Sequence, residues 1–204
     1  MKLHWSSRSP FVRKVMVFAH ETGLAARIDC ERTLVVMSQP NTRLMQLNPL
    51  GKIPTLVTDD GRMLQDSLLI CDYLDTLHGG RRLIPAAGDA RWQALGWHAL
   101  ANGMLDTLVL WRNETLKPVA QQGADLLAAF ALKTRNAVNY LEHAAATLAQ
   151  TPFGIGHITI GVALGYIDFR FPELAWREGH PALADWYASF AARPSAQATQ
   201  PVDA

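Results

Sequence analysis

The sequence feature that most restricts the fold is a proline that stands directly before a short apolar run. Pro54 follows Ile53 and precedes residues 55–57, which have the composition of a β-strand. A proline has no N–H to donate to a β ladder, so it leads an edge strand or holds a tight turn. The acidic pair and glycine at 59–61 then predict a hairpin to a second strand. We therefore expect a proline corner with a free backbone edge at the start of an antiparallel pair.

A helix N-terminus follows this hairpin. Asp66 and Ser67 open a segment with apolar residues at helical spacing, which predicts a helix over 67–77. Either polar side chain can act as an N-cap, but the two together exceed what one cap requires. The N–H groups and positive dipole of a helix N-terminus also attract anions. Corner and helix together predict a site for an extended, charged peptide, held by main-chain pairing at one end and by polar side chains at the other.

The composition excludes several classes of protein. Of the 204 residues, 49% are hydrophobic and 18% are charged, so the chain can bury a sizeable core. The formal net charge is +1 without a basic stripe, which argues against nucleic-acid binding. No apolar run approaches the ~20 residues of a membrane span, and the first residues are too polar for a signal peptide. Cys30 and Cys71 lack metal or redox spacing, so we expect a cytoplasmic protein with no metal and no membrane contact.

The chain divides into two regions of different pattern. The first, 1–78, has predicted strands at 1–5, 55–58 and 62–64, a further strand within 28–36 whose limits the sequence leaves open, and predicted helices at 11–19 and 67–77. Residues 41–47 are predicted to form a short helical or loop segment. This order, βαβ followed by ββα, is the thioredoxin-like layout of an α/β domain. Residues 79–88 are rich in glycine and proline and form the predicted linker. The rest, 89–204, is predicted to be an all-α bundle with helices at 91–112, 124–148, 158–169 and 181–192.

Four motifs occur together along the chain. They are the proline corner 48–54 with the acid–serine pair at 66–67, the stretch 9–14, the stretch 161–170, and residues 180–186 with 193–195. In type and order they resemble the glutathione S-transferase family, in its cytosolic, serine-type and bacterial-like form, over nearly the whole chain. The resemblance implies a thioredoxin-like glutathione-binding domain followed by a C-terminal helical bundle, assembled as a homodimer.

The resemblance also assigns the glutathione contacts. It implies that the peptide bond before Pro54 is cis and that Ile53 pairs, main chain to main chain, with the cysteinyl part of glutathione. Asp66 and Ser67 would hold the γ-glutamyl end, and Lys52 would reach the glycyl carboxylate. Peptide bonds to proline are cis in only ~5–6% of cases in folded proteins. The cis expectation therefore rests on the resemblance and not on statistics.

Ser9 has two interpretations. It precedes Pro10, a favoured first helical residue, so it is a natural N-cap that contributes about 1 kcal/mol. The resemblance instead makes Ser9 the catalytic residue, whose hydroxyl donates a hydrogen bond to the glutathione thiolate and so favours the charged form. The positive end of the helix dipole lowers a thiol pKa in the same way. Ser6 and Ser7 compete for this role, because the sequence does not fix the register of the loop.

The resemblance also implies a site for a second substrate, and the chain departs from the family pattern at one helix start. Phe11, Trp111 and Arg112 are the residues expected to line the site for the second substrate. At the start of the buried C-terminal helix, Gly154 and His157 replace the Ser/Thr-x-x-Asp cap that is common in the family. We expect this change to affect how that helix begins and to have no direct bearing on the glutathione site.

The predicted activity is attack of the glutathione thiolate on a small electrophile, as in detoxification. A glutathione-dependent isomerase, dehalogenase or peroxidase on the same scaffold is an alternative. A non-enzymatic binding or regulatory protein is another, because a fold does not fix a function. The joint presence of Ser9, Pro54, Asp66 and Ser67 favours glutathione binding over a bare scaffold. The sequence points to no particular electrophile and to no proton-accepting side chain.

Overall fold

The protein, described here by a computed structural model over residues 1–203, forms two compact units. The first unit contains residues 1–86 and the last segment from Pro194, and the second contains residues 87–193. The first unit mixes strands and helices and the second is helical, which confirms the predicted α/β plus all-α class. The boundaries drawn from the sequence, 1–78, 79–88 and 89–204, stay a prediction about independent folding units.

A four-stranded sheet forms the centre of the first unit. Its elements are β1 (Lys2–Trp5), α1 (Pro10–Glu21), β2 (Asp29–Arg32), α2 (Thr42–Met45), β3 (Thr55–Val57), β4 (Met63–Leu64) and α3 (Ser67–Leu74). The strand order is β2-β1-β3-β4, with β1 parallel to β2, β1 antiparallel to β3, and β3 antiparallel to β4. This βαβ unit followed by a ββα unit confirms the thioredoxin-like layout.

The core of this unit lies between the sheet and the helix pair α1 and α3. Leu3 and Leu56 face each other across β1 and β3, and both are fully buried. Phe18 of α1 and Ile70 of α3 are also fully buried, and the two helices pack on each other. Burial of each such side chain contributes roughly 1.5–3 kcal/mol. This packing fixes the ends of α1 and α3 relative to the strands.

Long-range partners set the ends of two elements of the first unit. β2 stops at Arg32, within the predicted 28–36, because its partner β1 ends at Trp5; the last ladder bond runs from Thr33 N–H to the Trp5 carbonyl at 2.8 Å. α3 stops at Leu74 rather than at residue 77. The buried carboxylate of Asp75 there accepts the N–H groups of residues 83 and 84, at 3.0 and 2.9 Å. These two hydrogen bonds hold the chain that follows α3 beside the C-terminal end of the helix.

The second unit is built around one buried helix. Its helices are α4 (Gly88–Thr115), α5 (Ala124–Gln150), α6 (Ile155–Arg170) and α7 (Pro181–Ala191), and short 3₁₀ turns occur at Ala25–Arg27, Val119–Gln121 and Pro172–Leu174 across the chain. Every residue of α6 from Ile155 to Ile167 is buried. α4 packs along it, and a Cβ on Gly156 would lie only 2.9 Å from the Cβ of Trp97, so glycine permits this close approach. Over residues 1–203, none of the helices has both the length and the apolar character that crossing a bilayer demands.

The start of α6 shows how the chain replaces the family's usual cap. Gly154 is the N-cap and has no side chain to offer. The imidazole Nδ1 of His157 accepts the Gly154 N–H at 3.2 Å, and Nε2 lies 3.1 Å from the Leu148 carbonyl oxygen. Because Nδ1 is the acceptor, the proton of the neutral ring is on Nε2 and is donated to Leu148. His157 thus closes the loop before α6 without a carboxylate.

The chain returns to the first unit at its end. α8 (Pro194–Ala198) packs on α1. The hydroxyl of Ser195 donates to the carboxylate of Glu21, and the guanidinium of Arg13 donates to the Ala196 carbonyl at 3.4 Å. These contacts hold α8 against α1.

Candidate functional site

The proline corner is built on a buried asparagine. The Ile53–Pro54 peptide bond is cis, as the resemblance implies. Asn48 is fully buried, and its amide donates to the Lys52 carbonyl at 3.0 Å and to the Thr55 hydroxyl at 2.9 Å. The Thr55 hydroxyl in turn donates to the Lys52 carbonyl at 2.7 Å. This network holds the corner in one conformation and leaves the half-buried Ile53 at its outer edge.

The N-terminus of α3 carries the acid–serine pair. Asp66 is the N-cap, and its Oδ1 accepts the N–H groups of Leu68 at 2.9 Å and Leu69 at 3.3 Å. The peptide bond that precedes it, Gln65–Asp66, is also cis. Asp66 is exposed, whereas Ser67 is 2% exposed. A capping carboxylate that uses one oxygen for the helix keeps the other for a cation.

A buried lysine lies behind Ser67. Lys14 of α1 is 0% exposed, and its Nζ donates to the Ser67 Oγ at 2.9 Å. The same Nζ lies 5.4 Å from the centre of the Phe11 ring. The sequence analysis did not predict Lys14 as a site residue, although its spacing along α1 indicates that it is buried. Lys14 lies four residues after Pro10 and four before Phe18, which places all three on the buried face of α1.

Ser9 is the N-cap of α1. Its Oγ accepts the Val12 N–H at 3.3 Å, and Pro10 occupies the first helical position. The structure therefore shows the capping role directly. Ser6 and Ser7 precede the helix; the Ser6 Oγ lies 3.4 Å from the Arg8 N, and the Ser7 hydroxyl donates to the Val202 carbonyl at 2.9 Å. Ser9, and neither of its neighbours, is the residue at the positive end of the α1 dipole.

The sheet topology brings these groups to one end of the first unit. β1 runs antiparallel to β3 with His4 opposite Thr55, so the loop that leads to Ser9 lies beside the corner at Pro54. β4 runs antiparallel to β3 and ends beside the start of β3, so the N-terminus of α3 lies at the same end of the sheet. The Lys14–Ser67 bond joins the two helices there. The proline corner, the two helix N-termini and the exposed carboxylate of Asp66 thus lie at the same end of the sheet.

The residues expected to line a second substrate site lie in different units. Phe11 is half-buried in the first turn of α1 in the first unit. In the second unit, Trp111 is 8% exposed and packs on Phe171, with ring centres 4.7 Å apart. Arg112 is half-buried in the last turn of α4. Their contact with a second substrate stays a prediction, as does that of the exposed Lys52 with glutathione.

Neither cysteine of the chain has the lowered thiol pKa that a nucleophilic cysteine needs. Burial raises the pKa of the Cys71 thiol to about 12. Desolvation, and then the charge of Asp29, raise the pKa of the exposed Cys30. Both thiols are therefore protonated at neutral pH, when a nucleophilic cysteine would need a lowered pKa. Among residues 1–203, no three His, Cys, Asp or Glu side chains cluster so that they could hold a metal ion.

Comparison with known proteins agrees with this architecture. The family model of the glutathione S-transferase N-terminal domain matches residues 8–77, and that of the C-terminal domain matches residues 124–189. The GST-like protein YibF of Escherichia coli (strain K12) is 30% identical over 203 residues, which cover 98% of each chain. A glutathione transferase family member from Pseudomonas fluorescens Pf-5, solved with bound glutathione, is 45% identical with a TM-score of 0.95 and 98% of both chains covered. A structure from the same organism with bound S-(propanoic acid)-glutathione is 43% identical with a TM-score of 0.91, covering 99% of this chain and 100% of that one.

The fold and the candidate site define a thioredoxin-like protein with an appended helical unit. The chain belongs to the glutathione S-transferase family.

Proposed function

We propose that the chain binds glutathione along the edge of the first unit where the proline corner meets the two helix N-termini. The single observation that carries this proposal is the meeting of the Pro54 corner with Ser9, Asp66 and Ser67 at one end of the sheet. The relative from Pseudomonas fluorescens Pf-5, which is 45% identical and was solved with bound glutathione, supports it.

Each end of the tripeptide has a matching group in the proposed complex. The backbone of Ile53 pairs with the cysteinyl residue, since the turn leaves this edge without a neighbouring strand. The carboxylate of Asp66 meets the γ-glutamyl ammonium, while Ser67 meets the α-carboxylate beside it. Lys52 is exposed and meets the glycyl carboxylate. The sulfur then lies near the N-terminus of α1, at Ser9.

We propose glutathione transfer as the reaction. The thiol loses its proton to solvent, and the Ser9 hydroxyl and the α1 dipole stabilise the resulting thiolate. The thiolate sulfur attacks the electrophilic carbon, a C–S bond forms, and the bond to the leaving group breaks with its electron pair on the leaving group. Catalysis comes from thiol activation and from positioning. Neither cysteine of the chain takes part in this reaction.

Titration calorimetry with glutathione tests the binding step. We expect saturable binding by the full chain, and its absence at millimolar glutathione would refute the proposal. A panel of alkyl and aryl halides, epoxides and unsaturated carbonyl compounds then tests transfer, with the thioether product measured by mass spectrometry. A protein that binds glutathione and turns over none of the panel would instead favour the binding or regulatory alternative.

The relative solved with bound S-(propanoic acid)-glutathione favours carbon–sulfur bond formation over peroxide reduction. This ligand is a thioether, so the relative's site accepts a carbon substituent on the sulfur. Dehalogenase and peroxidase activities are tested in the same panel by including a halide release assay and an organic hydroperoxide. A role in detoxification, a cytoplasmic location and a homodimeric assembly belong to the same proposal.

A further inference from the structure

The side chain of Lys14 is placed to act on the candidate site without touching the ligand. It is 0% exposed, yet its ammonium ends at the first residue of α3, 2.9 Å from the Ser67 Oγ. The Phe11 ring centre lies 5.4 Å from the Lys14 Nζ. A buried ammonium carries a large desolvation cost. Lys14 donates its hydrogen bond to the hydroxyl that is proposed to bind the ligand carboxylate, so it is a candidate for influencing how that carboxylate is bound.

The chemistry of this hydrogen bond fixes the direction of the Ser67 hydroxyl. An ammonium donates and cannot accept, so the Ser67 Oγ is the acceptor. The hydroxyl proton therefore points away from Lys14. Ser67 is 2% exposed, and inside residues 1–203 the only hydrogen bond of its hydroxyl is the one from Lys14. Buried hydroxyl protons usually find an acceptor, and a carboxylate at the N-terminus of α3 supplies one.

The charge of the lysine acts in the same direction. Two hydrogen bonds of ~2.8 Å in series, from the ammonium to the hydroxyl and from the hydroxyl to a carboxylate, place the two charges roughly 5 Å apart. Opposite charges at that distance attract strongly where water is excluded. Asp66 meanwhile uses its Oδ1 on the helix N–H groups of Leu68 and Leu69, so the hydroxyl of Ser67 is the side-chain donor at this helix end.

We propose that Lys14 is a positioning residue that acts through Ser67 and makes the site select ligands with an α-carboxylate on the γ-glutamyl group. This inference rests on the proposed function, because it concerns the same site. Lys14 orients the Ser67 proton toward the carboxylate and supplies the buried positive charge behind it. Removal of Lys14 weakens recognition of that one carboxylate and leaves the rest of the tripeptide contacts in place.

The test compares two ligands that differ only in this carboxylate. They are glutathione and γ-aminobutyryl-cysteinylglycine, which lacks the α-carboxylate and keeps the amine, the thiol and the glycyl end. In the unsubstituted protein, calorimetry should show tighter binding of glutathione by about tenfold to a hundredfold, the range for a hydrogen bond to a charged group. In Lys14→Met this preference should fall to within about threefold, through a loss for glutathione alone.

Further variants separate positioning from a structural role. Ser67→Ala should lose the same preference, and the double variant should lose no more than either single one, because the two residues act in series. In turnover, Lys14→Met should raise KM for glutathione and leave kcat at saturation nearly unchanged. Lys133→Met, which removes an exposed lysine of α5, is the matched control and should retain the full preference.

The outcomes distinguish this inference from the proposed function. If the unsubstituted protein does not bind glutathione, the proposed function fails and the inference fails with it. If it binds glutathione and Lys14→Met keeps the preference, or weakens both ligands equally, only the inference is overturned. If Lys14→Met does not fold by circular dichroism, Ser67→Ala decides: the selective loss supports the inference, and a retained preference overturns it.

Discussion

At the scale of single residues, the two roles of Ser9 have different signatures when the hydroxyl is removed. Ser9→Ala deletes the cap seen at 3.3 Å from the Val12 N–H, so we expect a loss of stability of about 1 kcal/mol. If Ser9 also donates to the thiolate, the pKa of bound glutathione rises and turnover at neutral pH falls about tenfold to a hundredfold. Affinity should change little, because most of the tripeptide is held elsewhere. Ultraviolet titration of the bound thiolate and a melting curve on the same variant measure the two effects.

Controls for this prediction lie in the same loop. Ser9→Thr keeps a hydroxyl and should retain both the cap and most of the turnover. Ser6→Ala and Ser7→Ala should leave the thiol pKa unchanged, because neither residue stands at the helix N-terminus. A melting temperature lowered in Ser9→Ala with an unchanged thiol pKa would show that Ser9 is a cap alone.

Asp66 and Lys52 offer a comparison of the two charged ends of glutathione. We expect Asp66→Ala to weaken glutathione binding roughly tenfold or more, and Lys52→Ala to weaken it less, because the exposed lysine makes only a surface pair. Asp66 also caps α3, so its replacement by alanine confounds binding with folding. Asp66→Asn keeps the cap and removes the charge, since Asn caps as well as Asp. Calorimetry in which Asp66→Asn binds like the unsubstituted protein would remove Asp66 from the ammonium site.

Some residues of the site were accessible from the sequence and others were not. Ser9, Pro54, Asp66 and Ser67 were selected because each stands where a strand or helix begins, which local patterns reveal. The roles of Asn48 and Lys14 in the site were not predicted, because each role depends on hydrogen bonds to residues that the fold brings close. The amide of Asn48 serves the Lys52 carbonyl only because the chain turns at Pro54. Lys14 meets Ser67 only once α1 and α3 pack together.

At the scale of elements, the apolar periodicity located every major helix and misjudged several ends. The predicted 91–112 is observed as Gly88–Thr115, and the predicted 158–169 as Ile155–Arg170. Periodicity reports the buried middle of a helix, whereas its ends depend on caps and on the chain that follows. Asp75 ends α3 by bonding N–H groups eight and nine residues further on. No local pattern in the helix itself announces such a partner.

The start of α6 yields a prediction at this scale. His157 is 4% exposed and binds both the Gly154 N–H and the Leu148 carbonyl. His157→Ala therefore leaves the buried Gly154 N–H without its partner and, within residues 1–203, leaves the Leu148 carbonyl with only the 3.4 Å bond from the Thr151 hydroxyl. We expect the second unit to lose roughly 2–4 kcal/mol of stability, since each such loss costs about 1–3 kcal/mol. Urea unfolding followed by tryptophan fluorescence measures it. His143→Ala, at an exposed position of α5, is the control and should change stability by less than about 0.5 kcal/mol.

His157→Asp tests whether the family's usual residue fits this chain. A carboxylate can accept the Gly154 N–H but cannot donate to the Leu148 carbonyl. We therefore expect His157→Asp to be more stable than His157→Ala and less stable than the unsubstituted protein. Equal stability of Asp and His at this position would mean that the bond to Leu148 contributes nothing.

At the scale of the whole molecule, exposed apolar side chains on two helices predict a homodimer. Leu69 of α3 is 47% exposed, and Trp92 and Leu110 of α4 are 72% and 48% exposed. Exposed aromatic and aliphatic groups of this size are typical of surfaces that are covered in an assembly. Closed two-fold dimers are the commonest soluble homo-oligomers. We expect sedimentation at micromolar concentration to give twice the 22.5 kDa mass of one chain.

Charge substitutions locate the surface of that dimer. Leu69→Lys and Trp92→Lys should each shift the protein toward the monomer, because a lysine in an apolar interface is desolvated without a partner. Val119→Lys changes another exposed apolar residue, 84% exposed in the turn between α4 and α5, and should leave the mass unchanged. Melting curves should show that all three variants are folded. A single-chain mass for the unsubstituted protein would contradict the dimer, whereas a dimer unaffected by Leu69→Lys and Trp92→Lys would place its interface elsewhere on the surface.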